Sequence, residues 1–209
     1  LGWNDTYPSL KKEICEILVK TGALQFGAFP LTDEAWSSYF VDLRIIPSFP
    51  GAFRRVGEAY VDFARNVLNP AAFHRVAGIP TAGIPFASLL SFFLSKPFLY
   101  VRTEATTHGR ERRVEGILYP GDSVLLVDDL VTSGSSLLTA ANAISSEGGL
   151  VGDALVLIDR QEGGEKALAG AGIRLHALVT MSEAAHILYD LEAIDREQFR
   201  EILKQVKKR

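Results

Sequence analysis

Apolar positions follow two rhythms along this chain. Leu10, Ile14, Ile17 and Leu18 recur at helical spacing and Gly22 supplies a stop; Phe53, Val56, Tyr60, Phe63 and Val67 form a second helical stripe, ended by Asn69-Pro70. Between them lie two short extended candidates, residues 24–29 and 39–43, joined by a polar connection over 32–38. After Pro70 the rhythm changes. Short apolar runs at 75–77, 98–101, 124–127 and 154–158 are bounded by Gly, Pro or Asp, and helical stretches at 84–93, 136–147 and 165–171 separate most of them. Strands alternating with helices predict βαβ units, and therefore a mainly parallel sheet covered by helices on both faces. Residues 174–179 supply one more strand. The tail over 195–207 reads as an amphipathic helix with Phe199, Ile202, Leu203 and Val206 on one side. No repeat or linker divides the chain, so the expectation is one α/β domain over 1–209 with an N-terminal extension.

Composition narrows the function classes. Apolar residues at 47% and charged residues at 22% suit a chain that buries a real core. A net charge of −3 argues against a broad polyanion-binding surface, so no nucleic-acid partner is expected. One cysteine, Cys15, excludes an internal disulfide framework and a cysteine-rich metal site; on an apolar helical face it reads as a packing residue. His74, His176 and His186 show no repeated ligand spacing, which argues against zinc. No apolar run approaches the ~20 residues that span a bilayer. The segment 1–5 lacks the basic and apolar regions of a signal peptide, so a cytoplasmic protein without a membrane partner is expected. Phe92, Phe93, Phe98 and Tyr100 are assigned to the core rather than to a stacking surface.

The most informative stretch is Val124-Leu125-Leu126-Val127-Asp128-Asp129-Leu130-Val131-Thr132-Ser133-Gly134-Ser135-Ser136. Four apolar residues make a buried strand of the kind that ends at the ligand-binding edge of a parallel sheet. Small hydroxyl residues around a glycine then lead into a helix start, where backbone N–H groups and the helix dipole surround a phosphate. Gly134 permits the turn and the close approach. Asp128 and Asp129 repel phosphate; carboxylates suit the neutral hydroxyls of a ribose, directly or through Mg²⁺. The plain alternative is a strand-to-helix turn with an N-cap.

The run 127–136 resembles the phosphoribosyl pyrophosphate motif of the type I phosphoribosyltransferase family. That resemblance implies the family's fold, a parallel sheet flanked by helices with a small N-terminal hood over about 24–44. It implies 5-phosphoribosyl 1-diphosphate as substrate, with its 5′-phosphate on Thr132, Ser133, Gly134, Ser135 and Ser136, its ribose at Asp128 and Asp129, and Leu130 and Val131 among the substrate-binding residues. Four more segments resemble the orotate branch. Gly78-Ile79-Pro80-Thr81-Ala82-Gly83-Ile84-Pro85 is similar to its pyrophosphate loop, with Thr81 and Ala82 offering backbone groups. The segment 102–116 is similar to its mobile catalytic loop, with Arg102 and His108 in catalytic positions. Asp159-Arg160-Gln161-Glu162-Gly163-Gly164 is similar to the segment whose arginine meets the base, and Tyr39-Phe40-Val41-Asp42-Leu43-Arg44 to the N-terminal strand.

The resemblance further implies orotate as second substrate, Mg²⁺ as cofactor, and a homodimer in which one subunit's loop closes over its partner's site. Arg160 suits the orotate carboxylate by planar, bidentate pairing, although a salt bridge to Glu162 would also occupy it. Three cations of the family pattern are absent: Thr103 and Thr106 replace loop lysines, and Thr32-Asp33-Glu34 stands where Lys-Ser-Gly is usual. Three readings follow: an orotate enzyme using Arg110, Arg112 and Arg113 instead, a phosphoribosyltransferase for another base, and a weakly active ligand-binding regulator.

Overall fold

The structure, a computed structural model, describes residues 2–32, 35–102 and 113–207. Helix α1 (Trp3–Lys20) leads to a hairpin of β1 (Leu24–Thr32) and β2 (Ala35–Val41), and a 3₁₀ turn at Leu43–Ser48 precedes α2 (Pro50–Phe63). The rest alternates: β3 (Arg75–Gly78), α3 (Gly83–Leu94), β4 (Phe98–Val101), β5 (Val114–Glu115), β6 (Ser123–Val131), α4 (Ser135–Ser146), β7 (Leu150–Asp159), α5 (Gly164–Gly170), β8 (Arg174–Thr180), α6 (Met181–Asp190) and α7 (Arg196–Lys207). The main sheet has the order β5-β4-β3-β6-β7-β8; all neighbours are parallel except the β4–β5 pair.

Strand β6 sits at the centre because its residues are apolar on both faces. Leu125 and Val127 join a core cluster containing α1, α2, α3 and α6 residues, whereas Val124 and Leu126 join a second cluster with Leu137, Ala140 and Ile144 of α4 and Leu168 of α5. Helices on both sides explain why these strands read as unbroken apolar runs.

Several boundaries differ from the sequence pattern. The polar stretch 32–38 is not a plain connection: most of it belongs to the hairpin, in which Phe29 pairs with Ser37 and Pro30 with Trp36, and Leu43 lies beyond the strand. Pairing with the neighbouring strand satisfies this polar backbone, and Gln205 of α7 supplies a further acceptor for Ser38 N–H at 3.1 Å. Strand β6 does not stop at Val127. It runs on through both acids to Val131, since β7 continues beside it and pairs Leu130 with Ile158 and Val131 with Asp159. Helix α6 has only a thin stripe of Met181, Ala184, Ala185 and Leu188 facing the core, too weak to stand out as periodicity. Its capping box, Thr180 with Glu183, is the legible sign of it. Phe92 and Phe93, assigned to the core, are 78% and 40% exposed at the end of α3. No helix among the described residues is long and apolar enough to cross a membrane.

Candidate active site

On one side of β6 the neighbouring strand ends early: β3 pairs last at Gly78 with Val127, after which Ile79 N–H donates to the Val127 carbonyl. Beyond that point a cavity of about 190 Å³ opens. Pro80, Thr81 and Ala82 form one wall; Asp128, Asp129, Leu130, Val131, Thr132, Gly134, Ser135 and Ser136 form the other. Ser133 stands off the wall, its hydroxyl donating to Ser135 Oγ at 3.3 Å. The Pro80–Thr81 peptide is cis.

Two helices begin at this cavity. Gly134, at φ +81°, caps α4 with no side chain closing the first turn, and Ala82 caps α3 in the same uncapped way. Gly83 N–H at the α3 start donates to Ile79 O at 3.0 Å; the N–H groups that follow in each first turn carry positive partial charge and suit an anion. Two glycines make this convergence possible. A Cβ on Gly83 would come within 2.7 Å of Asp128 Oδ1 and 2.8 Å of Val127 O, so only glycine lets the start of α3 lie against the acids. A Cβ on Gly164 would reach Thr132 O at 2.6 Å, so the β6–α4 loop is seated on the start of α5.

Between the helix starts lie Asp128 and Asp129, 7% and 8% exposed. Burial raises both carboxyls above the ordinary carboxylate range, and the charge of Asp129 raises Asp128 further. Arg44, clamped on Asp42 at 2.7 and 3.0 Å, opposes this rise at Asp129. Asp128 Oδ1 accepts from Asp129 N–H at 2.9 Å. Two desolvated acids between two positive helix ends suit a ligand with a phosphate at each end and hydroxyls between them.

Comparison with known proteins identifies the family and the fold. The model of the phosphoribosyl transferase domain matches residues 58–172. An orotate phosphoribosyltransferase of Cenarchaeum symbiosum is 38% identical over 185 residues, covering 88% of this chain and 92% of that one. The chain belongs to the phosphoribosyltransferase family. The crystal structure of orotate phosphoribosyltransferase from Aeropyrum pernix superposes with a TM-score of 0.75 at 34% identity, covering 87% of this chain and 99% of that one. The UMP synthase of Leishmania donovani gives a TM-score of 0.83 at 28% identity, over 95% of this chain and 42% of that one. The sheet and helices described above are the type I phosphoribosyltransferase fold.

In this phosphoribosyltransferase the remaining described site candidates are Arg102, at the foot of the 102–116 segment, and Arg160, just after β7. Arg102 is at that foot: its N–H donates to Arg113 O at 2.8 Å, and its exposed guanidinium pairs with Glu115 at 3.3 Å. His108, Thr103, Thr106, Arg110 and Arg112 lie outside the described residues. Arg160 follows β7, its N–H donating to Val131 O at 3.0 Å. Its guanidinium, mostly buried, pairs with Glu162 at 2.8 Å and lies over the Tyr39 ring, 5.2 Å from the centroid. The salt bridge weighed as an alternative role for Arg160 is therefore present, and the hood's aromatic ring supports the same group. Gln161 fixes this turn: its N–H donates to Asp159 Oδ1 at 2.7 Å, and its side-chain oxygen accepts from Ser182 N–H at 2.9 Å. Gly83 and Gly164 had no assigned role before the fold was known, because a close approach between distant segments leaves no local pattern.

Proposed function

We propose that this phosphoribosyltransferase transfers 5-phosphoribose from 5-phosphoribosyl 1-diphosphate to orotate, giving orotidine 5′-phosphate and pyrophosphate, with the whole chain working as one catalytic unit. The bond from ribose C1 to the pyrophosphate oxygen breaks, a bond from C1 to a ring nitrogen of orotate forms, and that nitrogen's proton leaves. The carrying observation is the pair of buried acids between two uncapped helix starts. The 5′-phosphate fits the α4 start, with Thr132, Ser133, Gly134, Ser135 and Ser136; the pyrophosphate fits the α3 start, with Thr81 and Ala82; Asp128 and Asp129 take the ribose hydroxyls.

Arg160 is the group for the base carboxylate, which must share or displace Glu162. Arg102, and His108 from its loop, would meet the leaving pyrophosphate as charge grows on its oxygen and C1 becomes oxocarbenium-like. The donor set fits Mg²⁺ carried by the substrate: two carboxylates are available at Asp128 and Asp129, and no group of three or more metal-binding side chains occurs among the described residues. Bound there, the ion would neutralise pyrophosphate charge. The hairpin serves as the hood over the base, and a second copy of the chain supplies the 102–116 loop.

A second reading has one specific support. With Thr103 and Thr106 in place of lysines, two charge-assisted phosphate contacts are gone, each worth roughly 1.5–3 kcal/mol. That loss favours a protein that binds the ribose phosphate and turns over weakly. Assay of orotidine 5′-phosphate formation with Mg²⁺, beside calorimetric binding of each substrate, separates the two. Turnover with orotate is expected; tight binding without turnover over hours would favour the regulator, and turnover only with another base would move the chain to a different branch. Arg160→Ala is expected to weaken orotate binding by roughly 10- to 100-fold. Unchanged orotate affinity in that variant would refute the base assignment.

A further inference from the structure

We infer that Tyr60, on α2, is a positioning residue for the Asp128–Asp129 pair: its hydroxyl holds the peptide group whose other end orients the Asp128 carboxylate. This rests on the ribose role proposed for the two acids. Tyr60 is fully buried, stacked on Phe86 at 5.7 Å between ring centroids and 20° between planes, and its hydroxyl donates to the Asp128 carbonyl at 2.7 Å. The amide N–H of the same peptide unit, that of Asp129, donates to Asp128 Oδ1 at 2.9 Å. Phenol, peptide and carboxylate are thus joined by two hydrogen bonds through one planar group.

Two features point to a specific use of the hydroxyl. A buried Phe would pack this space without desolvating a polar atom, so the hydroxyl adds a cost that its hydrogen bonds, to the Asp128 carbonyl and with the Leu157 backbone, must offset. The peptide also lies just past the end of β3, whose last pairing is Gly78 with Val127. The segment that bears the acids therefore lacks a strand neighbour on the cavity side, and the bond from Tyr60 adds a contact that limits rotation of the peptide. Rotation would turn the Asp129 N–H away from the Asp128 carboxylate and let that side chain swing from the ribose position.

The test compares binding of ribose 5-phosphate with that of inorganic phosphate by titration calorimetry, in the parent chain, Tyr60→Phe and Phe86→Leu. Tyr60→Phe removes one donor and almost no volume. Phe86→Leu disturbs the same core without touching the hydroxyl, and thermal melting reports the stability of each. The ratio of the two affinities isolates the ribose hydroxyls. In Tyr60→Phe it is expected to fall roughly five- to tenfold, through the ribose arm alone. In Phe86→Leu it stays at the parent value even where melting falls further. An unchanged ratio in folded Tyr60→Phe would overturn the inference, as would an equal fall in Phe86→Leu. A parent chain that binds both probes equally would instead remove the ribose role of the acids, and the Tyr60 role with it.

Discussion

Asp128 and Asp129 are held at an electrostatic cost in the free protein. Burial lifts both carboxyls above their unfolded values, so between the ordinary carboxylate range and the raised values the folded chain binds more protons than the unfolded one. Stability from this source is complete on the acid side and is lost as pH rises through that window. Asp128→Asn removes the penalty. At neutral pH it is expected to melt roughly 2–4 °C above the parent, with the gap closing toward pH 4, while transferase activity falls. Scanning calorimetry across pH checks this; a variant that melts no higher at neutral pH would mean the acids are not destabilising in the folded chain. At this scale the place of the acids at the end of an apolar strand was legible from the residues, but the surroundings of Arg160 were only half legible. Its partner Glu162 lies two positions away, whereas Tyr39, over which its guanidinium sits, comes from the hairpin.

The elements meet at the site through glycines. Gly164 begins α5 and touches the β6–α4 loop at Thr132 O and Val131 Cγ2, each 2.6 Å from where a Cβ would stand. Gly164→Ala must push that loop off its seat, and ribose-phosphate affinity is expected to drop about tenfold or more, with a stability loss of roughly 1–3 kcal/mol. Gly152→Ala, with nothing within 4 Å of its Cβ position, is the control and should stay within about 0.5 kcal/mol of the parent. Equal behaviour of the two variants in denaturant melts and binding titrations would count against the close-packing account. Helices α3, α4 and α5 were visible as periodic segments. The length of β6 was not, because the change from apolar to acidic at Asp128 resembles a strand end, and only the continued pairing with β7 carries the strand to Val131.

Across the whole molecule, the two chain ends build the hood together. Gln205 of α7 accepts from Ser38 N–H at 3.1 Å and donates to Ser37 Oγ at 3.0 Å, tying the hairpin to a helix about 168 residues further along. Gln205→Ala is expected to lower stability by about 1 kcal/mol and to speed amide exchange in β2 selectively. Exchange that rises evenly over the protein would point to global destabilisation instead. By itself the sequence determined the α/β alternation and the make-up of the β6–α4 loop, because both are written in contiguous residues: a buried strand, two acids, then small hydroxyls into a helix start. Tertiary structure alone decided where β6 ends, how Gly83 and Gly164 admit their neighbours, how Tyr60 reaches Asp128, and what holds the hairpin. Those features arise between segments far apart in the chain, where an interaction needs the fold to exist before either partner has anything to touch.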